Sequence, residues 1–414
     1  MTGSVKPRID LPRLMGRIEA LGRIGALPGG GVCRLALTAE DGEGRRLVVG
    51  WMKELGLEVS VDRIGNVRGI RPGRVDGAPV MIGSHIDTVA TGGLYDGNLG
   101  VLAGLEVIAA LNDADRVTRR PLAVAFFTNE EGARFAPDMM GSAVHQGALD
   151  LDVALAVVGI DGRTVADELA AIGFAGDAPP RSLMPCAYLE LHIEQGPVLE
   201  REGIAIGAVT GVQGISWTEY SVSGVSNHAG TTPMAMRCDA GVVAARSAVA
   251  VREIAERLGG AQVATVGSLR LEPGLVNVVP RRAIFTVDLR NTDEARLVEA
   301  EGLAEMAIAE AARAEGATVT SRRLARFAPV EFDPAIVDLV EKTARRHGAS
   351  VKRMPSGAGH DAQMFAPDCP TGMIFVPSRD GLSHNVREHT DREEIGLGAG
   401  ILLDVVLQLA DGDG

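Results

Sequence analysis

The 414-residue sequence predicts an α/β fold: a mainly parallel sheet with helices on both faces, interrupted by an inserted β-α-β-β-α-β unit. Three observations carry this. Short apolar runs at 78–86, 121–128 and 371–376 are separated by helical patterns, as buried parallel strands are. Residues 213–328 change rhythm to strand, helix, two strands, helix, strand, the order of the split βαβ sandwich. Finally, one core rarely organises 414 residues. Segments 1–212 and 329–414 are therefore expected to build one domain around an insertion at 213–328.

Taken in order, residues 11–57 hold helical patterns broken at Pro28-Gly29-Gly30-Gly31. Strand 78–86 leads through a glycine-rich loop into a helix over about 99–112. Strand 121–128 ends at Glu130-Glu131, and 187–194 alternates into a third strand. In the insertion, strand 216–223 precedes helix 239–258 and strands 263–271 and 282–290. Helix 293–314 and strand 317–326 complete it, before strand 371–376 and helix 393–410 finish the first domain. Ligands gather at the C-terminal ends of parallel strands, and His85, Glu130 and Glu131 fall there.

Composition narrows the function classes. Apolar content of 46% and charged content of 23% are ordinary for a globular protein, and 3% aromatics leaves a core of Ala, Val, Leu and Ile. The net charge of −13 argues against nucleic-acid or membrane-surface partners, and an anionic substrate would need a specific cationic anchor. Cys33, Cys186, Cys238 and Cys369 are scattered, as free thiols in a reducing compartment are. The start, Met1 to Arg8, has no apolar stretch behind it, so no signal peptide is expected. No run reaches the roughly 18 apolar residues that span a bilayer. A cytoplasmic protein is the expectation.

Five segments carry the chemistry: Gly83-Ser84-His85-Ile86-Asp87, Tyr95-Asp96-Gly97, Asn129-Glu130-Glu131-Gly132, His192-Ile193-Glu194-Gln195-Gly196 and Ser383-His384-Asn385. Their histidines and acids suit two zinc-like ions sharing a carboxylate, with one glutamate left as a base. His85 and Asp87, two apart at a strand end, would share a face, with Asp87 fixing the second ring nitrogen; a core histidine satisfied by an aspartate fits the pair equally. Asp96 reads as a bridging carboxylate or as a turn aspartate. Glu130 and Glu131 close a very apolar strand, where two like charges are costly unless paired or metal-bound. Gln195 can hydrogen-bond a substrate amide. In the insertion, His228 lies in Ser226–Pro233, Asn277 in a Leu-Val-Asn-Val-Val-Pro run, and Arg290 ends a strand. The Arg290 fork matches a substrate carboxylate or pairs with Asp288. Gly359 and His360, in Gly357–Gln363, are candidates to touch a ligand or to hold the loop.

In motif order and spacing, from about residue 10 to 410, the chain resembles the M20 metallopeptidase superfamily, in particular its amidase branch of N-carbamoyl-L-amino-acid hydrolases, allantoate amidohydrolases and β-ureidopropionases. The resemblance implies a zinc-peptidase-like fold with a ferredoxin-like lid and dimerisation domain, hence a homodimer. It implies that His85 and His192 hold one metal, Glu131 and His384 the other, and Asp96 bridges. Zn2+ is the expected ion, with Mn2+, Co2+ or Ni2+ as substitutes. Glu130 would be the general base and Gln195 would touch the ureido group. His228, Asn277 and Arg290 would take the substrate's carboxylate side, His228 reaching in from a partner subunit. The implied reaction is hydrolysis of a small ureido acid, an N-carbamoyl-L-amino acid first and allantoate or a β-ureido acid as rivals. His192 disfavours a dipeptidase, whose relatives place a carboxylate at that step, and the intact ligand set argues against a metal-free binding or scaffold protein.

Overall fold

The structure, a computed structural model, describes residues 6–412; the first five residues, where the absence of a signal peptide was expected, and the last two lie outside it. The chain divides into two compact units, residues 1–211 with 331–414, and residues 212–330.

The first unit is built on a nine-stranded mixed sheet. Four neighbouring strands, in the order Leu122–Phe127, Val80–His85, Ala187–Ile193 and Thr371–Val376, pair in parallel. The flanks are antiparallel: Val67–Arg71 pairs with Leu122–Phe127, Glu58–Val61 pairs with Val67–Arg71, and Ile206–Val212 pairs with Thr371–Val376. Three of these four strands read as continuous apolar runs, and the fourth, Ala187–Ile193, reads as alternating. Each of those four is buried at every position, as a sheet covered on both faces requires. Helix Asn98–Asp113 is buried along nearly its whole length. Helix Arg392–Asp411 starts at a capping box in which Asp391 and Glu394 satisfy each other's backbone amides. No helix of the described residues is long and apolar enough to cross a membrane.

The second unit is a four-stranded antiparallel sheet in the order Thr318–Phe327, Gly214–Ser223, Arg282–Asn291, Val263–Glu272. Helix Ala240–Leu258 follows strand Gly214–Ser223, and helix Glu294–Ala314 follows strand Arg282–Asn291. Val243, Val251, Leu297 and Ile308 from these helices share one core with Tyr220, Phe285 and Val287 of the sheet. The other face is open, so Arg282–Asn291 alternates between buried and partly exposed positions.

Candidate metal centre

His85 is the last residue of its strand. Its Nδ1 lies 2.9 Å from the Asp87 backbone oxygen. A carbonyl only accepts, so Nδ1 carries a proton and Nε2 is the nitrogen left to face the acids. Nε2 stands 3.8 Å from Asp96 Oδ1 and 3.4 Å from Glu130 Oε2. His192 repeats the device: its Nδ1 is 2.8 Å from the Ile193 carbonyl, and its Nε2 is 3.2 Å from Asp96 Oδ1. Two imidazole Nε2 atoms therefore converge on one carboxylate oxygen.

The turn that presents Asp96 depends on the next residue. Gly97 has φ +65°, and a Cβ there would lie 2.3 Å from His85 Nε2, so only glycine lets the imidazole close on the loop. Gly97 also donates its N–H to His192 Nε2 at 3.1 Å. Asp96 Oδ2 faces the other way, 3.4 Å from His384 Nε2, which in turn is 3.2 Å from Glu131 Oε2. His85, Asp96 and His192 form one group whose ligand atoms all lie within 4.8 Å of one another, and Asp96, Glu131 and His384 form another. The donor set fits divalent ions, which take histidine nitrogen and carboxylate oxygen at about 2.0–2.2 Å. Asp87, Asp96 and Glu130 are buried, and carboxylates packed out of water need a cation, a hydrogen-bond donor or a proton.

The charges respond accordingly. Burial opposes protonation of His192, but the hydrogen bond to Asp96 and the charges of Asp96 and Glu190 carry its pKa up to about 9. The contact with Glu131 raises His384 to about 9 against its burial. Burial works against ionised Asp96, yet the His192 contact and the charges of His192, His85 and His384 hold its carboxyl below the usual range. Glu130 moves the other way: burial, then Asp361, Glu131, Asp87 and Asp96, push it well above the usual carboxylate range.

Asp87 departs from the expectation. Its carboxylate is 4.0 Å from His85 Nδ1 and instead accepts the N–H groups of Glu130 and Glu131, both at 3.3 Å. The strand stops at His85, so the two-residue alternation does not reach Asp87. The ring is oriented by the Asp87 carbonyl, while the side chain fixes the turn that carries both glutamates. Gln195 is in the cluster with its amide turned to protein: Nε2 donates to Asp96 Oδ2 at 2.8 Å and to Ser383 Oγ at 3.3 Å. His360 is buried behind His192, ring centroids 4.5 Å apart, and bonds Ser356 Oγ at 2.8 Å. Gly359 lies against Met139.

The remaining candidates sit in the second unit. His228 is exposed and accepts the N–H groups of Gly230 and Thr231 on Nδ1. Asn277, also exposed, takes the Ala229 N–H on its backbone carbonyl. The Arg290 guanidinium donates to both Asp288 oxygens at 3.0–3.1 Å and lies 5.8 Å from the Trp217 ring; of the two readings the sequence allowed, its fork here takes the pair with Asp288.

Several residues of the site were not singled out from sequence. Glu388 accepts the Tyr95 and Asp96 N–H groups, both at 3.1 Å, and the Ser383 hydroxyl at 3.2 Å. The same Ser383 hydroxyl lies 2.9 Å from Asp96 Oδ2, so its one proton is shared between the two acids. Glu190 accepts Ser84 Oγ at 2.7 Å, the Ala362 N–H at 3.0 Å and Tyr188 Oη at 3.3 Å. Three protein donors thus engage its oxygens, and it groups with His192 and His360. Burial and Glu190 raise Asp361 to about 8. The available signal was an acid inside an otherwise apolar strand, Ala-Tyr-Leu-Glu-Leu-His-Ile; Glu388 offered none.

The pattern defining Peptidase family M20/M25/M40 matches residues 81–408. The chain is 41% identical over 405 residues to an N-carbamoyl-L-amino-acid amidohydrolase of Rhizobium meliloti, covering 98% of this chain and 97% of that protein. It is 36% identical over 398 residues to an allantoate amidohydrolase of Escherichia coli K12, covering 94% and 96%. A hydantoinase/carbamoylase family amidase from Burkholderia multivorans superposes with a TM-score of 0.93 at 44% identity, covering 98% of this chain and 99% of that one.

Proposed function

Because this chain belongs to peptidase family M20/M25/M40 and two of its histidine–carboxylate groups share Asp96, we propose that it hydrolyses the carbamoyl C–N bond of N-carbamoyl-L-amino acids. One water is consumed, and the L-amino acid, ammonia and CO2 are released. It is a metal-dependent hydrolase of linear, non-peptide C–N bonds. The observation that carries the reading is the division of Asp96, one oxygen toward His85 and His192 and the other toward His384.

In this reading His85 and His192 hold one divalent ion, Glu131 and His384 a second, and Asp96 is common to both. The set suits Zn2+ and accepts Mn2+, Co2+ or Ni2+. When bound, the ions supply the Lewis acidity that activates water and polarises the ureido carbonyl. Glu130 takes the attacking water's proton and passes it to the leaving nitrogen, while Asp87 holds the Glu130 backbone in place. Gln195 is assigned to the ureido group, where its buried Oε1, without a partner among the described residues, can accept an N–H. Arg290, His228 and Asn277 are assigned to the substrate carboxylate, and Gly359 and His360 to the loop beside the substrate. Exposed Val263, Leu269 and Leu271 on one strand of the 212–330 unit support a homodimer formed through it. A reducing cytoplasm suits four cysteines that are all free.

The test is ammonia release from N-carbamoyl-L-amino acids, N-carbamoyl-β-alanine and allantoate, with and without a chelator. Fast, chelator-sensitive release from the first is expected. Faster release from allantoate would move the assignment to that substrate, the reading the Escherichia coli relative favours. Release that ignores the chelator, or none from any substrate, would sink the proposal.

A further inference from the structure

We propose that Arg34 is a positioning residue for the metal centre, setting the loop after His85 and the loop around Asp96 in register with each other. This rests on the metal-binding reading above. Arg34 is 0% exposed, and its fork reaches three separate segments. Nε donates to the Ile86 carbonyl at 2.8 Å, Nη1 to the Leu21 and Ile24 carbonyls at 3.0 Å each, and Nη2 to Asn98 Oδ1 at 2.8 Å. Ile86 directly follows His85, and Asn98 lies two residues beyond Asp96. Asn98 also donates to the Leu94 carbonyl at 3.2 Å, closing the Asp96 loop on itself. The backbone of Arg34 adds a double tie to Thr88: its N–H goes to Thr88 Oγ1 at 2.8 Å, and its carbonyl accepts the Thr88 N–H at 2.9 Å.

The side chain is an expensive choice for stability alone. A buried cation is costly, and an apolar replacement is often neutral or better. Among the described residues Arg34 forms no ion pair within 4 Å; the acceptors of its fork are neutral carbonyl and amide oxygens. Burial draws its pKa down to about 10, with Asp41 and Asp87 resisting, so it is still a cation at neutral pH. What the residue supplies is geometry. A planar fork can bond carbonyls of helix Leu21, of the turn at Ile24, of the His85 loop and of Asn98 at once, and a lysine ammonium cannot. His85 and His192 must meet Asp96 Oδ1 from two different elements, so a shift of one loop against the other spoils the ligand set.

The test strips the full-length protein of metal and titrates it with Mn2+, reading free ion by electron paramagnetic resonance, for the wild type, Arg34→Lys and Asn98→Ala. Circular dichroism and melting temperature report folding separately. Binding to Arg34→Lys should weaken by fivefold or more, Asn98→Ala should shift the same way, and excess Mn2+ should restore lost ammonia release. If Arg34→Lys does not fold, Asn98→Ala is judged by the same fivefold criterion. A folded variant that melts lower yet binds Mn2+ within fivefold of wild type overturns the proposal, since that is a purely structural arginine. A wild-type protein that binds no Mn2+ overturns instead the metal reading on which it rests.

Discussion

The two sheets use similar residues and hide them differently. Val80–His85 and Leu122–Phe127 are buried at every position, whereas Arg282–Asn291 is buried only at alternate ones. A strand covered on both faces offers a charged side chain no retreat to water, so an acid or histidine at its end needs a partner, a proton or an ion. A strand with one open face is expected to alternate, and polar residues on it need no further reason. The same residue types therefore speak for chemistry in one unit and for solvation in the other. His85 and Glu130 are informative on that ground; the Arg290–Asp288 pair, each partner about a quarter exposed, is much less so.

The largest test of the contrast compares two glutamates. Glu130→Gln should cut turnover by about 10²–10⁴-fold with bound metal unchanged. Glu219→Gln, which breaks an exposed pair with Arg322, should leave turnover at the wild-type level. A Glu130→Gln enzyme within tenfold of wild type would remove Glu130 as the base.

Core truncation comes next. Ile82 is 0% exposed and Leu324 is 44% exposed. Ile82→Ala should cost about 2–5 kcal/mol, and Leu324→Ala no more than about 0.5 kcal/mol, read as shifts of the urea midpoint. Equal shifts would mean that the strand Thr318–Phe327 is covered in solution.

A third prediction concerns pH. His145 is buried, with ring centroids 5.3 Å from Phe365 and 6.0 Å from Phe127. Burial, followed by the charge of Arg68, holds its pKa down at about 4. The unfolded chain takes up this proton near 6.5, so the group's contribution is whole above that pH. It is lost as pH falls toward 4, by about 3 kcal/mol in total. The stability difference between wild type and His145→Leu should shrink or reverse over that window. Parallel pH profiles would show that His145 does not titrate there.

The smallest expected effect probes the open-faced unit. Arg290→Ala should raise KM by roughly 30-fold, about 2 kcal/mol of charge-assisted contact, with kcat little changed. An unchanged KM would leave Arg290 a surface partner of Asp288 and sharpen the contrast further.

Much of the site was legible because its residues interrupt local patterns: a histidine ending an apolar run, two acids ending another, an aspartate before a glycine. What was not legible lies in contacts between distant segments. Asp87 reads locally as the partner of His85, yet it holds the amides of Glu130 and Glu131, 43 and 44 residues away. Glu388 grips the Asp96 loop from 292 residues further on. Arg34, in a stretch of ordinary helix-flanking sequence, becomes a clamp only once Ile86 and Asn98 are folded around it.

The sequence by itself determined the main elements and the candidate donors, because strand and helix periods are local and a metal ligand needs a particular side-chain chemistry. Tertiary structure alone decided how the donors are aimed. Which ring nitrogen of His85 and His192 faces the acids is set by a backbone carbonyl at or just beyond the strand end. Which way His384 and Gln195 point follows from backbone at φ +53° and +58°, a region that side-chain-bearing residues enter only when surrounding contacts hold them there. The two faces of Asp96 likewise exist only after three strand ends and a C-terminal loop have met.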